Sequence, residues 1–157
     1  MTRAPIPLAI ALVSLVACSS TGTNLPPFDG LIAIGTWGGT NAGMIVGDTS
    51  MHLHVGCTFG NVSGRIPVSS DGSFDVTGDY MLRAYPIAVG PTVPARFTGR
   101  LVGATATVTV TVDDTVQHKT VVEGPVTVTL GQQPQLGPCP ICIRPGLRAG
   151  SSKTIEP

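Results

Sequence analysis

Charge is scarce in this sequence. Nine Lys/Arg and nine Asp/Glu make up 11% of 157 residues and cancel. No basic patch gathers, so nucleic acid is excluded as an expected partner. Long apolar runs are scarce too. One apolar stretch stands near the start, too short to span a bilayer, and no second long run follows, so no transmembrane helix is expected. The motifs of common catalysis are missing: no G-x-S-x-G, no H-E-x-x-H, no phosphate-cradling glycine loop. His118 beside Lys119 has no serine or carboxylate in register with it. Asp113-Asp114, Asp75 and Asp79 read as turn and solvent-face acids. These absences point away from an enzyme: no catalytic residue is nominated and no cofactor is expected.

Turn formers and β-formers are abundant. Gly occurs 20 times and Pro 14 times, and Thr and Val dominate the central segments, a mixture that suits short strands and tight turns. Leu31 to Trp37 is apolar, and Gly43 to Val46 is closed by Gly47-Asp48-Thr49. Met51, Leu53, Val55 and Cys57 alternate with His52, His54 and Gly56. Period 2 puts the two sets on opposite faces, the apolar set inward and the histidines outward. Val62 to Val68 leads to the turn Ser70-Asp71-Gly72, and Phe74 and Val76 alternate with Asp75 and Thr77. Tyr80 to Pro94 reads as a long loop. Ala95 to Val102 and Ala106 to Val112 read as strands, Asp113-Asp114 as a turn, and Val116 to Val122 and Val126 to Leu130 as two final strands. About eight short strands at hairpin spacing predict an all-β fold, an antiparallel meander closing into a small barrel, with a β-sandwich as the alternative.

The start, MTRAPIPLAIALVSLVACSS, carries Arg3 and then a short apolar stretch from Leu8 to Val16, the length of a signal peptide core. Leu15-Val16-Ala17-Cys18 resembles the lipobox of bacterial lipoproteins. That resemblance implies cleavage of residues 1–17 and acylation of Cys18 by fatty acids such as palmitate. The mature chain is then exported and bound to the cell envelope through its lipid, at the outer membrane if the host is Gram-negative, since Ser19 rather than Asp follows the cysteine. Two or more acyl chains anchor stably where one does not. Residues 18–27 read as a lipidated tether, 28–142 as the β-domain and 143–157 as a mobile tail.

Two further resemblances concern the β-domain. Gly35-Thr36-Trp37 is similar to the G-x-W signature of calycins, the lipocalin and avidin group of barrels. It implies that Trp37 plugs one barrel end. Gly35-Thr36-Trp37-Gly38-Gly39, Met51 to Cys57, Gly72 to Gly78 and Pro94 to Gly99 together resemble a group of uncharacterised exported bacterial proteins. There an Ala-His-Gly triplet follows the cysteine; here Thr58-Phe59-Gly60 stands in its place, so no role of that histidine carries over.

Besides Cys18, three cysteines remain. In an oxidising compartment Cys57 is expected to pair with Cys139 or Cys142, closing a long loop. Cys139-Pro140-Ile141-Cys142 is a C-x-x-C, but lacks the helix N-terminus that thiol redox chemistry uses. His52 and His54, two apart on one strand face, can reach one metal ion, with Cys57 or Asp48 as further ligands. The functional expectation is a membrane-anchored binding or interaction module that is not an enzyme, engaging a small apolar ligand or a protein. A metal-handling lipoprotein using His52 and His54 and an inhibitor of an exported enzyme are the alternatives. A hollow barrel would favour a ligand, a filled one an interaction.

Overall fold

The structure, a computed structural model, describes residues 30–84 and 90–139. Residues 1–17, Cys18, the tether 18–27, Phe28, Cys142 and the tail 143–157 lie outside the described residues, and so do positions 85–89 of the expected long loop. Eight antiparallel strands follow in chain order: β1 (Gly35–Gly39), β2 (Ala42–Val46), β3 (Ser50–Val55), β4 (Thr58–Ser63), β5 (Ser73–Met81), β6 (Val93–Val102), β7 (Thr105–Asp114) and β8 (Lys119–Leu130). Each pairs with the next, and β8 returns to β1 through Trp37↔Leu130 and Gly38↔Thr129. The fold is therefore a closed meander barrel and not a sandwich, which leaves no sheet edge at either end of the order.

Several boundaries differ from the sequence expectation. Val62 to Val68 is not one strand: β4 ends at Ser63 and Gly64 takes a positive φ of 85°. Ile66 and Val68 instead sit beneath the barrel, where Ile32 N–H donates to the Ile66 carbonyl and Val68 N–H to that of Gly30. Asp113 and Asp114 belong to β7, and the turn is 115–118. The last two expected strands are one, β8. Its ladder passes from Val110↔Glu123 to Val108↔Val126, so one extra residue bulges at Gly124-Pro125. A bulge keeps the strand continuous while adding twist.

Alternation sorts the strands as the pattern predicts. Met51, Leu53 and Val55 are buried, and Val108, Val110 and Val112 are fully buried on β7. Cys57 departs from its predicted place: it sits in the turn after β3 and is half-buried. The interior is occupied by side chains from around the barrel, with Trp37, Tyr80 and Phe97 the bulkiest of those fully buried. Small residues facing inward make room for large ones. A Cβ on Gly60 would lie 2.4 Å from the Tyr80 ring and 2.7 Å from that of Phe97, and one on Gly99 2.4 Å from that of Phe74. Such interlocking of large and small is how a narrow barrel reaches the packing density of a solid core.

After β8 the chain crosses the outside of the barrel as a strap. Gly131 N–H donates to the Thr36 carbonyl, Gln135 N–H to that of Gly39, and Asn41 N–H to that of Gln135. Gly38 and Gly43, opposite each other on β1 and β2, form its bed. A Cβ on Gly38 would meet the Gln133 backbone at 2.3 Å, and one on Gly43 the Pro134 ring at 2.6 Å. The strap ends at a disulfide between Cys57 and Cys139, with Cα atoms 5.4 Å apart. This selects one of the two pairings left open by the sequence.

Candidate functional site

The outer wall of β3, β4 and β5 carries the densest cluster of chemistry-bearing side chains described. Gly56-Cys57 joins β3 to β4 in two residues, and Gly56 takes the positive φ (56°) that a tight hairpin turn requires. A two-residue turn fixes the register. His54 lies opposite Phe59 and His52 opposite Asn61, and Asn61 in turn faces Asp79 on β5. All five side chains are half-buried and point away from the core.

Their hydrogen bonds run in one direction. Asn61 Nδ2 donates to Asp79 Oδ1 at 3.1 Å, which turns the amide oxygen toward β3. His52 Nδ1 lies 2.7 Å from that oxygen, Asn61 Oδ1. An amide oxygen only accepts, so His52 Nδ1 carries the proton and donates. The other ring nitrogen, Nε2, stands outside this chain of bonds. The His52 and His54 rings meet edge to face with centroids 4.8 Å apart, and the Phe59 ring lies 5.4 Å from each. His54 is held below the usual imidazole range, first by partial burial and then by the neighbouring His52. It therefore stays neutral further into the acid range than a free histidine.

The other nominated ligands are not part of this cluster. Cys57 is bound in the disulfide and offers no thiolate. Asp48 is an exposed carboxylate 3.6 Å from Arg65 Nη1. Both expectations of a completed metal set are thus corrected, and among the described residues no group of three or more His, Cys, Asp or Glu gathers as a metal-binding set. Trp37 is buried, and its indole N–H donates to the Ala33 carbonyl at 3.1 Å, in the segment beneath the barrel. His118 lies in the exposed turn 115–118 with a positive φ of 52°. Asp75 is an outward acid, as expected, and it pairs with Arg96 across β5 and β6.

Asp114 is not a solvent-face acid. It is 1% exposed, accepts from Arg83 Nη2 at 2.7 Å and from the backbone N–H groups of Val116 and Gln117, and so organises the turn that follows. The Arg83 hydrogen bond holds its carboxyl below the usual carboxylate range. Inside the barrel, Tyr80 Oη and Thr58 Oγ1 lie 2.7 Å apart, and Thr58 donates to the Val55 carbonyl. Burial pushes the Tyr80 phenol well above its ordinary range. A surface groove of about 490 Å³ lies between the segment 67–69 and strands β5 and β6, among residues that include Pro67, Ser73, Asp75 and Thr98.

Asn61, Phe59 and Asp79 were not singled out as partners of the histidines from the sequence. The available signal was the turn: once Gly56-Cys57 is read as a two-residue hairpin loop, counting outward pairs His54 with Phe59 and His52 with Asn61. Comparison with known proteins gives no matching family model, no matching curated protein and no matching solved structure.

Proposed function

We propose that this chain is an exported lipoprotein, anchored to the cell envelope through acylated Cys18, whose β-barrel is a binding or interaction module and not an enzyme. The observation that carries the binding half of this reading is the packed interior. Trp37, Met44, Met51, Leu53 and Phe97 meet inside the barrel at 0–1% exposure. A core so occupied leaves the outer wall and the two ends as the surfaces on which a partner is met. The anchoring half rests on the Leu15-Val16-Ala17-Cys18 pattern and the signal-like stretch before it. A lipid at the N-terminus and a rigid barrel beyond a tether suit a module that waits at a membrane surface for its partner.

Replacing the lipidated sulfur separates anchoring from folding. In the host, Cys18→Ala is expected to abolish fatty-acyl incorporation and to leave the precursor uncleaved, with the Cys57–Cys139 bridge intact. A variant that is still acylated, or still cut to the mature length of the wild type, would defeat the anchoring reading.

A further inference from the structure

We infer that His52 and His54 form a two-imidazole chelate for a divalent transition metal, Cu(II) in first place. The inference rests on the reading of the barrel as a module that binds on its outer wall, and gives that wall a ligand class. Three features of the pair support it.

The first is spacing. With a metal–nitrogen bond of about 2.0 Å and about 1.1 Å from nitrogen to ring centre, two imidazoles on one ion have centroids about 4.4 Å apart at a right angle and about 5.1 Å apart at a tetrahedral one. The observed separation is 4.8 Å, between the two. The ring centroids therefore stand at a separation that one ion can span, with alternate positions on β3 and Phe59 beside both setting it.

The second is the tautomer. The Asp79–Asn61–His52 chain puts the His52 proton on Nδ1, which leaves the Nε2 lone pair as the donor atom. Metal-ligating histidines commonly donate their other ring N–H to a carbonyl or carboxylate, which fixes the ring and raises its basicity. Asn61 supplies such a carbonyl, and Asp79 orients it.

The third is location. The pair is half-exposed on the outer wall, so an ion bound by two imidazoles keeps open positions for water or for a donor group from a partner. Imidazole suits Cu, Ni and Zn, and at a given nitrogen site Cu(II) binds most tightly of the three.

The test is titration of the full chain, purified in detergent and stripped with chelator, with Cu(II) alone. Electron paramagnetic resonance should show one site per chain with nitrogen hyperfine structure from two imidazoles. His52→Ala and His54→Ala should each weaken that site at least tenfold, and Asn61→Ala about 10–100-fold, the range for loss of an orienting partner. His118→Ala should leave it unchanged. Because all four positions lie outside the core, an intact disulfide and unchanged circular dichroism serve as the folding check, with His52→Gln as a second variant at the same position. No copper signal in the wild type, or a signal equally strong in the His52→Ala/His54→Ala double variant, overturns the chelate. Either result leaves the membrane anchor to be judged by the acylation and processing of the Cys18→Ala variant.

Discussion

Leu53→Ala is expected to destabilise the barrel by about 2–5 kcal/mol, measured as a shift of the urea midpoint at constant slope. Leu53 is fully buried on β3, between Met44 on β2 and Gly60 on β4 in the inward register. Deleting its isobutyl group removes the transfer free energy of the lost carbons and leaves a void. Gly60 cannot fill that void, since it has no side chain, and the Tyr80 and Phe97 rings already press on it. The neighbouring His52→Ala should cost only about 1 kcal/mol, the net worth of its hydrogen bond to Asn61. If His52→Ala proved the costlier of the two, the assignment of inner and outer faces on β3 would be reversed.

Removing the disulfide is expected to be comparably severe. Cys57 and Cys139 are 82 positions apart, and in the chain-entropy model opening a loop of that size costs about 4.5 kcal/mol through the unfolded state. The double variant Cys57→Ala/Cys139→Ala should show that loss in the same urea assay, together with increased hydrogen exchange at Asn41 and Gln135, whose amides hold the strap. A loss below about 1 kcal/mol would mean that restraint of the unfolded chain contributes far less than the entropic model gives it.

Much of this fold was legible because its strands alternate plainly. Met51, Leu53 and Val55 against His52 and His54, and the valines of β7 against its threonines, state which side is inside. The misread stretches are those where local apolarity serves something other than a strand. Ile66 and Val68 are apolar because they cover a barrel end, and Gly64 breaks the backbone before them. Gly124-Pro125 looks like a break between two strands because a bulge, which the ladder absorbs, uses the same residues as a turn. The Gly38–Gly43 pair was invisible as a bed for the strap: its reason lies in Gln133 and Pro134, nearly a hundred residues away in the chain.

The candidate site divides the same way. His52 and His54 are two apart on one strand, so their shared face could be read directly. Asn61 and Asp79 join them only across strands, and cross-strand partners depend on register, which no single segment states. Asp114 was misjudged for a related reason: its partner Arg83 sits 31 residues earlier, and an acid at a strand end looks like a turn residue until that arginine is placed.

The central claim, a lipid-anchored barrel with a filled interior, meets one direct measurement: native mass spectrometry of the protein extracted from its own membrane. The predicted mass begins at Cys18, carries fatty acyl groups on that residue, is two hydrogens lighter for the Cys57–Cys139 bridge, and includes no apolar small molecule held within the barrel. A species that starts elsewhere, lacks the acyl groups, or releases a lipophilic ligand on unfolding would contradict it.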